Sequence, residues 1–285
     1  MDNPFIMHFV SLTVFILMFA IGVNHSFEEL TSLWRRPGLL LRSLLAVIVL
    51  VPLVVALLLW LFDLPIAVAT GLAVLAAAPG APMTYKRTQM AAGEPTYAAS
   101  LQLTLALLAV VVTPLTLAVF YALFELATER VTPSNVILQV GEVTFLPVII
   151  SLLIQRFLPK FARAIAKPVQ VIGNVLFLLL LVLIIVLLVI APDFRAMLNI
   201  GIQPIAAILI IVALALAIGH LLGGPPRKQR SVLAVASIAR NIGLAIFIAG
   251  LSDYGQQFIP VLLAYMILGS LLAVPYGIWI KRQRR

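Results

Sequence analysis

An apolar run that breaks in mid-course constrains this chain more than any other feature. From Gly71 to Glu94 the sequence reads GLAVLAAAPGAPMTYKRTQMAAGE, and its hydrophobic stretch stops at Pro79-Gly80-Ala81-Pro82 before continuing into Lys86-Arg87. Two prolines around a glycine remove amide donors and free carbonyls, which lipid cannot satisfy. A break of this kind is therefore buried in protein or lines a watery cavity, and a binding site is the usual reason for one. A counterpart, LAVASIARNIG, runs from Leu233 to Gly243. A gap-free offset of 161 aligns Leu72-Ala73-Val74 with Leu233-Ala234-Val235, Ala78 with Ala239, and Pro114 with Pro275. Paired broken segments in two halves predict a secondary transporter.

At 63% hydrophobic and 10% charged residues over 285 positions, the chain is too apolar for a soluble globular protein. The formal charge of +9 sits in short basic clusters between apolar runs, where topology signals belong, so it does not indicate nucleic acid. Stretches long enough to span hydrocarbon fall at roughly 5–23, 38–61, 65–92 (broken), 96–124, 136–155, 169–191, 202–222, 231–252 (broken) and 257–280. The expected fold is thus an all-α membrane protein of nine transmembrane helices. Arg35, Arg36 and Arg42, then Arg156, Lys160, Arg163 and Lys167, then Arg227, Lys228 and Arg230, and the tail Lys281, Arg282, Arg284 and Arg285 all fall on one side of such a bundle. The opposite connections hold only Arg130 and Arg195. The positive-inside rule then places the N-terminus outside and the C-terminus in the cytoplasm, in a bacterial inner membrane. No basic n-region precedes the first apolar run, so that helix is expected to remain.

The third and eighth helices run in opposite directions in this scheme, as an inverted-topology repeat requires. It pairs helices two to four (38–126) with seven to nine (201–281) in a single transmembrane domain. The helix at 169–191 is almost uniformly Leu, Ile and Val and is expected to face lipid. The helix at 202–222 carries Ala206, Ala207, Ala213, Ala217 and Gly219, which suit close packing inside the bundle.

Charged residues inside the breaks are the candidate functional groups. Lys86 and Arg87 would each cost about 2.5–3.5 kcal/mol at a helix centre, so they call for water, a counter-ion or a substrate, unless their long stems reach the interface. Arg240 has no acidic residue within ten positions on either side. It is read as a site residue, against the alternative of a structural bond to carbonyls freed by the break. Asn241 is positioned either for the site or to cap the following half-helix. Glu142 is a candidate proton carrier or a water-exposed interface residue, and Thr84, Tyr85, Gln102 and Thr104 are candidates for a polar cavity wall. The half-helix N-termini, with Arg240, favour an anionic substrate group. His8, His25 and His220 have no metal spacing and read as interface or packing residues. No HExxH, phosphate loop or GxSxG supports catalysis, and there is no cysteine, so the chain is not expected to be an enzyme and no metal site is expected.

The phrases PGAPMTYKRTQMAAGEPTY, TPLTLAVF, RKQRSVLAVASIARNIGLA, MFAIGVNHSFEELTSLWRRPGLLL and LPIAVATGLAVLAAAPG resemble the bile acid:sodium symporter family, within the bile/arsenite/riboflavin transporter superfamily. The resemblance covers most of the chain. It implies a core domain in which two broken helices cross, a panel domain beside it (here 5–23 and 136–191), and sodium-coupled entry of organic anions by alternating access. It also implies sodium ligands: a Ser-Asn pair after the first break, and an acidic residue and a glutamine at the second. Here those positions carry Thr84-Tyr85, Ala236 and Arg240, while Asn241 and Gly243-Leu244-Ala245 match. A guanidinium standing where relatives place a cation would repel sodium, so Arg240 is expected to substitute for it. Arsenite transport in related permeases relies on a cysteine, which this chain lacks.

The expected function is alternating-access transport of a small organic anion, bile-acid-like or another carboxylate or sulfonate. The anion is expected to approach Pro79, Gly80, Thr84, Tyr85, Arg240 and Asn241, with no bound cofactor. Two alternatives stay open: sodium coupling through rearranged ligands at Thr84, Gln102 and Asn241, and a channel or receptor on the same scaffold. The partners are the substrate and the lipid bilayer; the sequence sets no oligomeric state.

Overall fold

The computed structural model describes residues 4–81, 84–126, 133–190, 201–252 and 254–282. Pro82 of the first break and Arg130, Arg195, Arg284 and Arg285 of the topology count lie outside them. Among the described residues all regular structure is helical. The order is α1 (Pro4–Asn24), α2 (Phe27–Leu30), α3 (Pro37–Leu44), a π-helical stretch (Leu45–Leu50), α4 (Val51–Leu61), α5 (Ile66–Ala77), α6 (Thr84–Met90) and α7 (Pro95–Leu123). There follow α8 (Pro133–Val140), a second π stretch (Gly141–Phe145), α9 (Leu146–Phe157), α10 (Pro159–Ile190), α11 (Ile202–Leu222), α12 (Arg227–Ile238), α13 (Ile242–Gly250) and α14 (Gly255–Arg282).

Among the described residues, six helical stretches are long and apolar enough to cross a membrane: 37–61, 95–123, 159–180, 202–222, 227–250 and 257–282. The three other expected crossings coincide with shorter apolar helices at Ser11–Asn24, Ile66–Ala77 and Leu146–Phe157. Two of those are short for visible reasons. The break ends α5, and the π stretch at Gly141–Phe145 separates α9 from α8.

The first break follows from its residues. Pro79 disfavours helix at Ala78, whose backbone sits at φ −106° and ψ 75°. Gly80 then turns left-handed at φ 76°, and its missing side chain lets the break lie on α7, since a Cβ there would stand 2.9 Å from Leu105 Cβ. The second break has neither proline nor glycine. It is held by Asn241, whose side chain accepts from the Leu244 amide at 3.0 Å and so caps α13.

A single apolar cluster unites α4, α5, α7, α11, α13 and α14 around residues such as Leu72, Ile211, Leu244 and Phe258. Helices α1, α9 and α10 pack on one another, and a smaller cluster of Met18, Ile21, Leu30, Ala99 and Val148 joins them to α7. Helix α10 begins ten residues before the expected crossing. Leu178, Leu179 and Val182 on it are exposed, as expected for a lipid face, while Phe177 and Leu180 are buried. On α11, Ala207, Ala215 and Gly219 are buried, but Ala213 and Ala217 point outward. Gly219 is the tightest point, where an added Cβ would lie 2.5 Å from Ala234 Cα of α12.

The connections expected on one face do gather at one end. Arg36, before α3, meets Glu94, before α7, at 3.3 Å, and Gln229 at the start of α12 reaches the same carboxylate at 3.5 Å. Gln155 near the end of α9 donates to the Val23 carbonyl at the end of α1 at 3.3 Å.

Candidate functional site

The two breaks touch backbone to backbone: the Asn241 amide donates to the Ala78 carbonyl at 2.9 Å. Each break frees carbonyls that hydrocarbon would leave unpaired, so their partners can be counted one by one. Ala78 is served by Asn241, and Gly80 by Gln102 Nε2 of α7 at 2.8 Å. At the second break the Ile238 carbonyl accepts from the Tyr265 hydroxyl of α14 at 3.1 Å.

Arg240 serves the rest. One guanidinium nitrogen donates to Ala76 at 3.4 Å and to Val47 at 3.2 Å, and the other also to Val47 at 3.2 Å. Both acceptors are carbonyls that their own helices have released. Ala76 lies in the last turn of α5, where the break removes the next donors. Val47 lies in the π stretch, where the Val51 amide bonds to Ala46 and the next residue, Pro52, has no amide to give. The guanidinium is 3% exposed, and no carboxylate pairs with it among the described residues. In this conformation it faces α4, α5 and α11, in a closed space shared with Tyr265.

The remaining candidates separate into two groups. Thr84, Gln102 and Asn241 are buried with Pro79 and Gly80 around the crossing, and Ala236 is buried in an apolar cluster that also holds Val47, Tyr97 and Leu101. Thr84 Oγ1 and Gln102 Oε1 are buried oxygens without a bonded partner. Tyr85 and Lys86 instead face a cleft between α6 and the α1/α10 pair, lined also by Asn24, Gln89, Gln170 and Asn174. The cleft leaves about 20 Å³ for a water centre, which is room for about one water. Arg87, one residue on, turns the other way and donates to Ser270 Oγ at 3.1 Å. Glu142 is exposed on the second π stretch. No cluster of three or more metal-ligating side chains occurs among the described residues.

Sequence reasoning did not single out Val47, Tyr265, Ser270 or the cleft amides Gln170 and Asn174. Only Pro52 inside an apolar run hinted at a released carbonyl. His25 read as an interface or packing residue; it bonds Tyr85 of α6 at 2.8 Å.

The pattern of the sodium bile acid symporter family matches residues 11–191. The human P3 protein is 26% identical over 288 residues, covering 98% of this chain and 59% of that protein, and the bovine P3 protein is 25% identical over the same shares. A Bacillus subtilis protein described as the uncharacterized sodium-dependent transporter YocS is 26% identical over 167 residues, 59% of this chain and 50% of its own length. The chain thus spans about half to three fifths of the relatives it matches.

Proposed function

The chain belongs to the sodium bile acid symporter family, and from that premise we propose that it carries a small organic anion by alternating access, without bound sodium. The observation that carries this reading is Arg240. A fixed cation occupies the crossing of two helix breaks, holds the released carbonyls of Val47 and Ala76, and has a buried alanine, Ala236, where relatives would place a carboxylate. A guanidinium there supplies internally the positive charge and the carbonyl ligation that a sodium ion would provide, and it repels a second cation.

The supporting topology has nine crossings. The six long apolar helices and three shorter ones fall one to one on the nine expected spans. The inverted repeat pairs α3–α7 with α11–α14, since each half holds a broken segment followed by a long helix with an internal proline, Pro114 in α7 and Pro275 in α14. Helices α1 and α8–α10 form the panel, and α3–α7 with α11–α14 form the core. The basic end faces the cytoplasm and the N-terminus lies outside.

Substrate enters at the seam between core and panel, where Lys86 is the cation facing the cleft and Tyr85, Gln89, Gln170 and Asn174 offer neutral hydrogen bonds. An amphipathic carboxylate or sulfonate fits a crevice with one cation, several amides and apolar walls at Leu17, Ala20 and Ile21. Arg240 organises the crossing against which that anion docks.

A second reading keeps sodium coupling, and the unpartnered oxygens of Thr84 and Gln102 favour it. Thermal-shift binding and proteoliposome uptake of steroid carboxylates and sulfonates, each in sodium and in choline buffer, separate the two. The expected result is equal binding and uptake in both buffers. Strict sodium dependence defeats the first reading in favour of the second, and conduction without saturation or counter-flow marks a channel instead.

A further inference from the structure

His25 sits at the corner where α1 turns into α2, and it is 7% exposed despite lying at the end of a membrane-facing helix. Its Nε2 is 2.8 Å from the Tyr85 hydroxyl of α6, and the two rings meet edge to face, 5.4 Å apart at 88°. Its other nitrogen, Nδ1, has no hydrogen-bond partner and lies 3.6 Å from Glu29 Oε2. That carboxylate is held in place. Ser26 and Glu29 form a capping box, in which the Ser26 amide donates to Glu29 Oε2 at 2.8 Å and the Glu29 amide to Ser26 Oγ at 3.2 Å. With its single proton on Nδ1 toward Glu29, the neutral ring accepts the Tyr85 O–H at Nε2, and a second proton occupies that Nε2 lone pair while Glu29 partners the charged ring.

We propose that His25 is the proton-binding site of this transporter, and that protonating it releases the α1–α2 corner from Tyr85, coupling proton movement to the sliding of core against panel. The inference rests on the transporter reading above. Tyr85 lies two residues into the half-helix that follows the first break, so the bond joins the panel's end directly to the part of the core that carries the crossing. The groups facing His25 are Glu29 from α2 and Tyr85 from α6, with Lys86 beside Tyr85 on the same cleft wall. Helices α7 and α9 bring apolar Ala99, Val148 and Leu152 and the amide of Gln155 to this seam, while Glu28 and Arg156 are exposed.

The direction of the effect follows from burial. Loss of water around the ring pulls the His25 pKa below its ordinary value, with Glu29 acting the other way. A group that binds protons less readily when docked favours docking above its ordinary pKa, about 6.5, and that preference is lost as pH falls through the lowered value. Acid therefore favours the undocked seam, in which His25 meets water and keeps Glu29 as its partner.

Because the chain has no cysteine, the seam can be measured by spin labels on the 285-residue chain in nanodiscs. Lys167→Cys on α10 and Lys228→Cys on α12 mark panel and core at two exposed positions. Electron–electron distances between them are expected to move toward a second population as the buffer goes from about pH 7.5 to about pH 5. His25→Gln is expected to abolish that response, and Tyr85→Phe to move its midpoint up toward the ordinary histidine value. His8→Asn and His220→Asn should leave it intact, and in that double variant the remaining histidine's NMR signal is expected to titrate with the same midpoint. Two populations that ignore pH, or that respond equally in His25→Gln, overturn the proton site and leave the transporter reading standing. A single fixed distance at every pH, in wild type and variants alike, overturns both.

Discussion

Arg240 donates to the carbonyl of Val47 across 3.2 Å from each of two guanidinium nitrogens, linking the second helix break to a π turn 193 residues earlier in the chain. The relationship explains how an apolar bundle tolerates a cation at its centre. The charge is spread over carbonyl dipoles that would otherwise be unpaired, and those dipoles exist because Pro52 has no amide to give Val47 and the turn at Pro79–Gly80 carries the following amides away from Ala76. Each defect supplies what the other lacks.

Replacing Arg240 by methionine should therefore destabilise the fold. The Val47 and Ala76 carbonyls would lose their donors at about 1–3 kcal/mol each, while the desolvation cost of the cation is recovered. A net loss of about 1–3 kcal/mol is expected, with Arg240→Lys intermediate because one ammonium lacks the planar fork that reaches both acceptors. Denaturant titration in detergent reads this directly. A variant as stable as wild type would show that the carbonyls do not depend on the guanidinium.

If the guanidinium stands in for an ion, the exchange can be reversed. The double variant Ala236→Glu with Arg240→Gln restores an acidic group and an amide at the positions that resemble the family's sodium ligands. It is expected to gain a sodium-dependent rise in melting temperature worth about 1.4 kcal/mol at tenfold the dissociation constant, which wild type lacks. Equal melting of both proteins in sodium and choline would count against the substitution.

How much of this could be read in advance depends on the length scale of each cause. The first break was legible because its cause is local: Pro79 and Gly80 dictate the chain path by themselves. The second was legible through its offset to the first and through Asn241, a capping residue in a place where helix should continue. The acceptors of Arg240 were hidden, because they depend on which helix lies beside it and on a π turn at Leu45–Leu50 that leaves no strong sequence mark. The His25–Tyr85 bond is likewise a contact over sixty positions, between residue types that have no fixed spacing. On α11, of the small residues read as a packing signal, Ala207 and Gly219 face inward while Ala213 and Ala217 do not, because backbone phase decides which side each takes.

Gly80→Ala tests how closely the first break must approach α7. The added methyl group would meet Leu105 Cβ at 2.9 Å in a backbone conformation at φ 76° that alanine disfavours. Left-handed strain of about 1–2 kcal/mol and overpacking of about 1–3 kcal/mol sum to a loss of about 2–5 kcal/mol. The measurement is again denaturant titration. A loss of stability confined to the range of an ordinary surface substitution would mean that the break can lift from α7 at little cost.

The Arg36–Glu94 pair predicts the opposite outcome. Both side chains are partly in water, at 50% and 27% exposure, and solvent screens their attraction. Arg36→Ala should cost less than about 1 kcal/mol, and the difference should shrink further in high salt. A larger, salt-insensitive loss would assign this end of the bundle a structural latch that the geometry does not suggest.

Lys86 and Arg87 are neighbours in sequence with opposite surroundings, and that contrast gives the sharpest test of where the substrate binds. Lys86 lines the seam cleft, whereas Arg87 is turned toward α14 and bonded to Ser270. Lys86→Met should weaken binding of a steroid carboxylate by about 10- to 100-fold, the range of a charged hydrogen bond, with little change in melting temperature. Arg87→Met should do the reverse, lowering stability while leaving affinity within about threefold, because its loss removes the hydrogen bond that ties α6 to Ser270 of α14. Titration calorimetry and thermal melts on both variants decide the matter. Should Arg87 rather than Lys86 control affinity, the anion would have to reach the α6–α14 contact, and the seam would no longer be its entry route.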